Sequence, residues 1–308
     1  MTDRSIRLSR RETMGLLGAA AAFSSAASLA ETGPVNKRAI PKSGESISMI
    51  GLGSSRTFDV GDDEAALDEL TPVMQAFFDK GGTVIDSSPM YGTSESVIGE
   101  LLRRVTGADD IFAATKVWTE GKEDGIAQMQ ESMQRMGVAV MDLMQVHNLV
   151  GWQTQIETLK TWKDGGKIRY IGITTSHGRM HDEFERVMKA EPIDFVQFTY
   201  NILDRKAEER LLPLAADLGQ ATMINVPFQR GALLRKVAGK PLPDWAAEFD
   251  CASWGQFFLK FVASHPAVTC IIPATTKLSH MNDNMGAGFG RLPDAAARAR
   301  MIAAVEAL

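Results

Sequence analysis

The sequence predicts an α/β chain folded as a single (β/α)8 barrel, the TIM-barrel architecture, on two observations. Eight short runs rich in Val, Ile, Phe and Thr recur along the chain: ISMIGLG, TVIDSS, IFAATKVW, MDLMQVHN, RYIGITT, DFVQFTY, ATMINVPF and VTCIIPAT. Longer segments of helical periodicity separate them. Strands that alternate with helices pair in parallel, and eight such units close into a barrel of about 250 residues. The chain has 308 residues, so one domain over 46–308 accommodates all eight units, with no sign of a second domain or an inserted lid.

The units follow one grammar. ELTPVMQAFFDKGG places its apolar side chains on one helical face and stops at Gly81-Gly82, after which TVIDSS begins a strand. GWQTQIETLKTWKDGGKIRYIGI repeats the arrangement. A barrel of this kind carries its chemistry where strands give way to helices. Asp86 and Tyr91 in IDSSPMYG, Lys116 in FAATKVW and His147 in DLMQVHN fall at that end of successive units.

Together these four make a proton donor for a carbonyl oxygen. A free tyrosine ionises near pH ~10, and a neighbouring ammonium lowers that value. Lys116 is expected to be that ammonium, with Asp86 holding it charged and in place. A neutral His147 would donate a hydrogen bond to the substrate oxygen as negative charge develops there. Singly, Asp86 reads as a turn residue, Tyr91 as a packed aromatic and His147 as a core histidine. Lys116 in an apolar run is harder to explain by packing, because interiors seldom hold an unpaired charge. The joint reading is carbonyl reduction.

Beyond the tetrad, GLGSS at 51–55, SESVIGELL after Tyr91, IRYIGITTS at 168–176, QFTYN at 197–201 and IIPATTKLSHMNDN near the C-terminus stand in order. On these motifs the chain, after its first forty residues, resembles the aldo-keto reductase family. The resemblance implies Asp86, Tyr91, Lys116 and His147 as catalytic residues. It also implies a nucleotide lying along Gly53, Ser54, Asp86, Thr174 and Pro227, with Gln197 bonded to the nicotinamide carboxamide. Two departures bear on cofactor affinity. Thr174-Thr175 stands where many members have Ser-Asn, and Asn225-Val226-Pro227-Phe228 where many have Tyr-Ser-Pro-Leu. Without the tyrosine, one nicotinamide face loses an aromatic contact worth ~0.5–1.5 kcal/mol, for which Phe228 or Trp118 is expected to compensate.

After the eighth run, Thr275, Thr276 and Lys277 open a helix, where free backbone N–H groups and hydroxyls hold phosphate. The resemblance implies Lys277 and His280 on the adenosine 2′-phosphate and Asp283 and Asn284 on the base, which favours NADPH over NADH. The segment from Gly231 to Phe249, with Pro241, Pro243 and Trp245, is expected to close over bound nucleotide. Trp118, Trp152 and Phe58 are expected on the rim of the substrate pocket, suiting an aromatic or apolar aldehyde or ketone.

The N-terminus addresses location. Ser9-Arg10-Arg11, then Met14, Leu16 and Leu17, then an Ala-rich run ending at Ala30, form a twin-arginine signal peptide over 1–30, followed by a linker over 31–45. The expectation is periplasmic or exported protein, with the twin-arginine machinery as a partner; the apolar run is too short and too polar for a stable membrane anchor. An unused signal would leave the protein cytoplasmic. Export leaves the supply of reduced cofactor open, so a nucleotide- or carbonyl-binding sensor without multiple turnover is the alternative. A lyase using Lys116 as a Schiff-base nucleophile is a third reading that Asp86 and Tyr91 disfavour.

Composition excludes other classes. The net charge is −5; losing 1–30 removes four arginines against Asp3 and Glu12, leaving −7. An acidic chain without a basic cluster is not expected to bind nucleic acid or an anionic membrane. Cys251 and Cys270, the only thiols, are expected free and buried. His177 and His181 lack an acidic third ligand, so no metal is expected.

Overall fold

The computed structural model describes residues 33–308, so the expected signal peptide over 1–30 lies outside the described residues. An antiparallel hairpin of β1 (Lys37–Ala39) and β2 (Ser46–Ser48) comes first. The barrel strands and helices then alternate: β3 (Leu52–Gly53), α1 (Glu64–Asp79), β4 (Val84–Asp86), α2 (Ser94–Arg104), β5 (Phe112–Val117), α3 (Lys122–Met136), β6 (Met141–Val146), α4 (Trp152–Asp164) and β7 (Ile168–Thr174). There follow α5 (His181–Ala190), β8 (Phe195–Thr199), α6 (Leu211–Asp217), β9 (Ala221–Asn225), α7 (Ala232–Lys236), α8 (Trp254–Ala263), β10 (Cys270–Ile271), α9 (Leu278–Gly286) and α10 (Ala295–Glu306).

Strands β3 to β10 pair in parallel in sequence order. The ring closes where the Gly51 and Gly53 amides donate to the carbonyls of Ile271 (2.8 Å) and Pro273 (2.9 Å). Local chemistry sets the boundaries. Asp63 caps α1 through the Ala65 and Ala66 amides, and Gly81, at φ +76°, turns the chain out of the helix as the Gly81-Gly82 stop predicts.

Two apolar layers result. One fills the barrel: Phe112, Leu143, Tyr170, Phe195, Met223 and Cys270 point inward, and Ile40 and Ile47 of the hairpin cap them at the N-terminal end of the strands. The other lies between sheet and helices, as where α1 buries Leu70, Val73, Met74 and Phe77. The hairpin departs from expectation. Residues 37–39, read as linker, form its first strand, because Ile40 contributes to the barrel's own core. Cys251 and Cys270 are free and buried, as expected. No helix among the described residues is long and apolar enough to cross a membrane.

Candidate functional site

The strands deliver their polar residues to one end of the barrel. Asp86 closes β4, Lys116 is the penultimate residue of β5, and His147 follows β6. Tyr91 lies in the loop after β4. That loop is tied to the one after β3, since Asp59 Oδ1 accepts from both the Thr93 amide and the Thr93 hydroxyl at 2.8 Å. Lys116 Nζ donates to Asp86 Oδ2 and to the Ser87 carbonyl, each at 2.6 Å, with the lysine fully buried. The same ammonium lies 5.2 Å from the centroid of the Tyr91 ring, and that ring meets His147 edge-on at 5.8 Å. All four expected catalytic residues therefore gather at one place.

Burial pulls the Lys116 pKa down, but the Asp86 charge and hydrogen bond outweigh it, and the net direction is up. The ammonium is therefore a fixed feature of the site. His147 is pushed down to about 3 by burial, then by the charges of Lys116 and Arg179, so its imidazole is neutral at neutral pH. Its Nδ1 lies 2.9 Å from Ser88 Oγ. Ser88 Oγ also accepts from the Met90 amide at 3.4 Å. With the Ser88 proton directed to Nδ1, the imidazole keeps its own on Nε2, free to donate.

Tyr91 requires a correction. The sequence reading has Lys116 lowering its pKa, and the ammonium does act in that sense. Burial around the hydroxyl is the larger influence, however, and Asp86 adds to it, so the net direction is up. Tyr91 is a phenol held protonated, with the Lys116 ammonium beside its ring.

Sequence reasoning named Gln197 but missed Gln145 and the buried polar layer that the two form beneath the tetrad. Gln145, on β6, donates from Nε2 to Asp86 Oδ1 at 2.9 Å, and Gln197 donates to the same oxygen at 3.0 Å. Room for Gln145 comes from Gly172 on β7, where a Cβ would lie 2.7 Å from Gln145 Cγ. No local signal marks Gln145, since a glutamine in an apolar run has no motif. Asn225 donates to the Thr175 carbonyl at 3.0 Å and accepts from the Thr199 hydroxyl at 2.6 Å. The Thr174 hydroxyl accepts from the Asn148 amide at 3.0 Å and so fixes the loop that carries His147.

Gly53 and Ser54 sit beside Asp86. The Ser54 hydroxyl donates to the Asp86 carbonyl at 3.1 Å, and a Cβ on Gly53 would lie 2.8 Å from the Ile272 carbonyl oxygen. On the far side, Phe228, Trp254, Thr275, His280, Asp283 and Asn284 line a cavity of about 440 Å³. The segment expected to close over nucleotide supplies one of its walls, including Leu234, Val237 and Lys240. The Lys277 amide donates to the Thr275 hydroxyl at 3.1 Å, and α9 starts there without a side-chain cap, leaving amide donors at its N-terminus. Two flat aromatic walls, a carboxylate and these donors fit the adenosine end of a dinucleotide. Thr276 and Lys277 stand exposed outside the cavity wall, and Pro227 is buried beside Phe228.

The rim differs in two residues. Phe58 is fully buried in the layer between sheet and helices. Trp152 opens α4 and donates to Glu183 Oε1 at 3.0 Å. Trp118, 43 % exposed, does stand at the mouth. Among the described residues, no three His, Cys, Asp or Glu side chains gather as a metal site.

Comparison with known proteins agrees with this geometry. The model of the aldo/keto reductase family matches residues 49–300. The aldo-keto reductase YhdN of Bacillus subtilis (strain 168) is 31% identical over 216 residues, spanning 64% of this chain and 63% of that protein. The aldo-keto reductase str7 of Strobilurus tenacellus is 26% identical over 289 residues, 81% of this chain and 84% of that one. An aldo/keto reductase from Klebsiella pneumoniae, solved in complex with NADP and acetate, superposes with a TM-score of 0.74 at 22% identity, over 88% of this chain and 96% of that one. The holo form of aldo-keto reductase AKR11C1 from Bacillus halodurans gives 0.72 at 21% identity, over 88% and 96%. With its family model covering the whole barrel and its tetrad assembled at the barrel mouth, the chain belongs to the aldo/keto reductase family.

Proposed function

We propose that the protein reduces an aldehyde or ketone to the alcohol, with NADPH as reductant and Tyr91 as general acid. The observation that carries this reading is the buried Lys116–Asp86 pair, 2.6 Å apart, set against the Tyr91 ring and beside a neutral His147. A reduced nicotinamide bound at the barrel mouth supplies the hydride. The chain's residues do the rest. His147 Nε2 and the Tyr91 hydroxyl hold the carbonyl oxygen, and Tyr91 gives it a proton as the carbon gains the hydride. Lys116 stabilises the resulting phenolate, which solvent reprotonates. A structure solved with NADP in the Klebsiella relative supports the choice of nucleotide.

The test is a fluorescence titration of the protein with NADPH and with NADH, followed by a carbonyl screen that monitors nucleotide absorbance. Selective NADPH binding with turnover supports the reading; binding without turnover of any carbonyl moves the protein to the sensor class.

Twin-arginine export of the folded protein is part of the same proposal, on the Ser9-Arg10-Arg11 motif and the Ala-rich run to Ala30. Periplasmic recovery of protein beginning at Glu31, lost when Arg10 and Arg11 become lysines, is the expected result. Full-length cytoplasmic protein in both cases would overturn it.

A further inference from the structure

One buried acid takes no part in the proposed reduction. Glu95, in the first turn of α2, is shut off from solvent. An enclosed carboxylate is costly unless its oxygens are bonded, and here both are. Thr115 Oγ1 donates to Glu95 Oε1 at 2.5 Å, and Ser132 Oγ of α3 donates to Oε2 at 3.1 Å, with Arg135 Nη1 3.6 Å from the same oxygen. Thr115 and Ser132 are themselves fully buried. Helices α2 and α3 close tightly over this cluster, since a Cβ on Gly99 would lie 2.0 Å from the Arg135 carbonyl oxygen.

Both ends of the Glu95–Thr115 bond adjoin a residue of the tetrad. Thr115 immediately precedes Lys116 on β5, and because side chains alternate along a strand, Thr115 faces the helices while Lys116 points into the barrel. At the other end, α2 begins just after Tyr91, and the Ser94 hydroxyl and amide both donate to the Tyr91 carbonyl, at 2.7 and 3.2 Å. A continuous set of contacts therefore runs from Tyr91 through Ser94, Glu95 and Thr115 to Lys116. The bonds from Lys116 to Asp86 and Ser87 reach the segment before Tyr91. The Glu95 bond reaches the segment after it, so the Tyr91 loop is fastened to β5 on both sides.

Resting on the reductase reading above, we infer that Glu95 is a positioning residue for the reduction: its bond to Thr115 fastens the segment after Tyr91 to the strand of Lys116 and so sets the separation of phenol and ammonium, with Nζ 5.2 Å from the Tyr91 ring centroid. A displacement of about 1 Å between reacting groups costs up to ~10²-fold in rate, even when it originates away from the chemistry. Of the two hydroxyls on this carboxylate, only that of Thr115 leads to Lys116. Ser132 leads to α3, which carries no residue of the tetrad. That asymmetry separates positioning from simple support of the helix layer.

The test compares the two partners. Thr115→Val keeps the shape and removes the donor, and it should lower kcat at least ~10-fold. The substrate KM and the NADPH dissociation constant should hold, and the isotope effect with NADPH deuterated at the transferred hydride should grow. Ser132→Ala should lower the urea midpoint of unfolding as much, yet leave kcat nearly unchanged. Glu95→Leu should match Thr115→Val, whereas Glu95→Gln, whose side-chain carbonyl still accepts from Thr115, should recover most of the rate. Equal losses of kcat in Thr115→Val and Ser132→Ala, or a loss in neither, would overturn the inference. A second measurement needs no turnover. The chain has three tyrosines, so NMR of protein labelled with heavy carbon at tyrosine Cζ gives one signal for each, that of Tyr91 being the one lost in Tyr91→Phe and displaced in Lys116→Met. Thr115→Val should displace this signal alone, leaving those of Tyr170 and Tyr200 in place. Where no carbonyl is turned over the reductase reading fails, but a displaced Tyr91 signal still upholds the positioning role and an unmoved one rejects it.

Discussion

Gln145 Nε2 donates to Asp86 Oδ1 across 2.9 Å, from the strand that His147 follows to the last residue of the strand that the Tyr91 loop follows, and both side chains are shut off from solvent. The carboxylate that anchors Lys116 through Oδ2 is thereby held through Oδ1 as well, by Gln145 and Gln197 together. Truncating one partner of a buried bond to a charged group leaves that group short of a donor, at a cost of about 1–3 kcal/mol. Gln145→Leu should therefore lower the urea midpoint of unfolding and reduce kcat, while Gln145→Glu, which sets a second carboxylate against Asp86, should do worse. An unchanged midpoint for both variants would count against this role.

Tyr91→Phe should lower kcat by ~10²–10⁴, the usual contribution of a positioned acid. The dissociation constant for NADPH should stay within about twofold, since the hydroxyl faces Lys116 and Ser55 rather than the nucleotide cavity. Stopped-flow turnover together with nucleotide titration checks both halves.

The pH profile follows from the two shifts. His147, with a pKa of about 3, stays neutral through the range where a free histidine titrates, so kcat/KM for reduction should show no acid limb near pH ~6.5. The stability that comes from burying it neutral is present above that value and drains away as pH falls from there toward 3. Tyr91 has its pKa raised by burial, so the phenol stays protonated at ordinary pH. Reduction should decline only on the alkaline side of pH ~10, and the associated stability is present below that value and lost as pH rises through the folded pKa. A midpoint near neutrality, seen equally with a fast and a slow substrate, would contradict both assignments.

Gly92→Ala should damage activity without touching a reacting group. Gly92 adopts φ +61°, and a Cβ there would lie 2.2 Å from Asp59 Oδ1, the acceptor that ties the Tyr91 loop to the loop after β3. The expected outcome is a loss of ~1–3 kcal/mol in stability, from strain and a broken tie, with a higher KM. Thermal unfolding and steady-state kinetics read the two effects.

Both thiols should resist a disulfide reagent in the native state. Burial drives Cys251 up to about 11 and Cys270 higher still, so neither offers a thiolate. Rapid labelling of native protein would show that the barrel opens more readily than its packing implies.

The barrel was legible because each strand-and-helix unit carries its own punctuation, as with Gly81-Gly82 after α1. The tetrad was legible because four unlike polar residues, Asp86, Tyr91, Lys116 and His147, recur at the same point of successive units. Two things were not. The Gln145–Asp86–Gln197 layer depends on which strands become neighbours and on the gap left by Gly172, neither of which shows in a local window. The direction of the Tyr91 shift depends on how completely the fold strips water from its hydroxyl, a property of packing from several loops at once. The hairpin escaped notice because its strands are three residues each and carry little periodicity.

That hairpin also decides where the chain enters the domain. The Asn36 amide bonds to the Gly288 carbonyl just beyond α9, and the Met49 amide bonds back to Asn36, both at the N-terminal end of the barrel strands. The described chain thus enters the barrel at its plugged pole, where Ile40 and Ile47 close the interior, and the open pole is left to the loops that carry Tyr91 and His147.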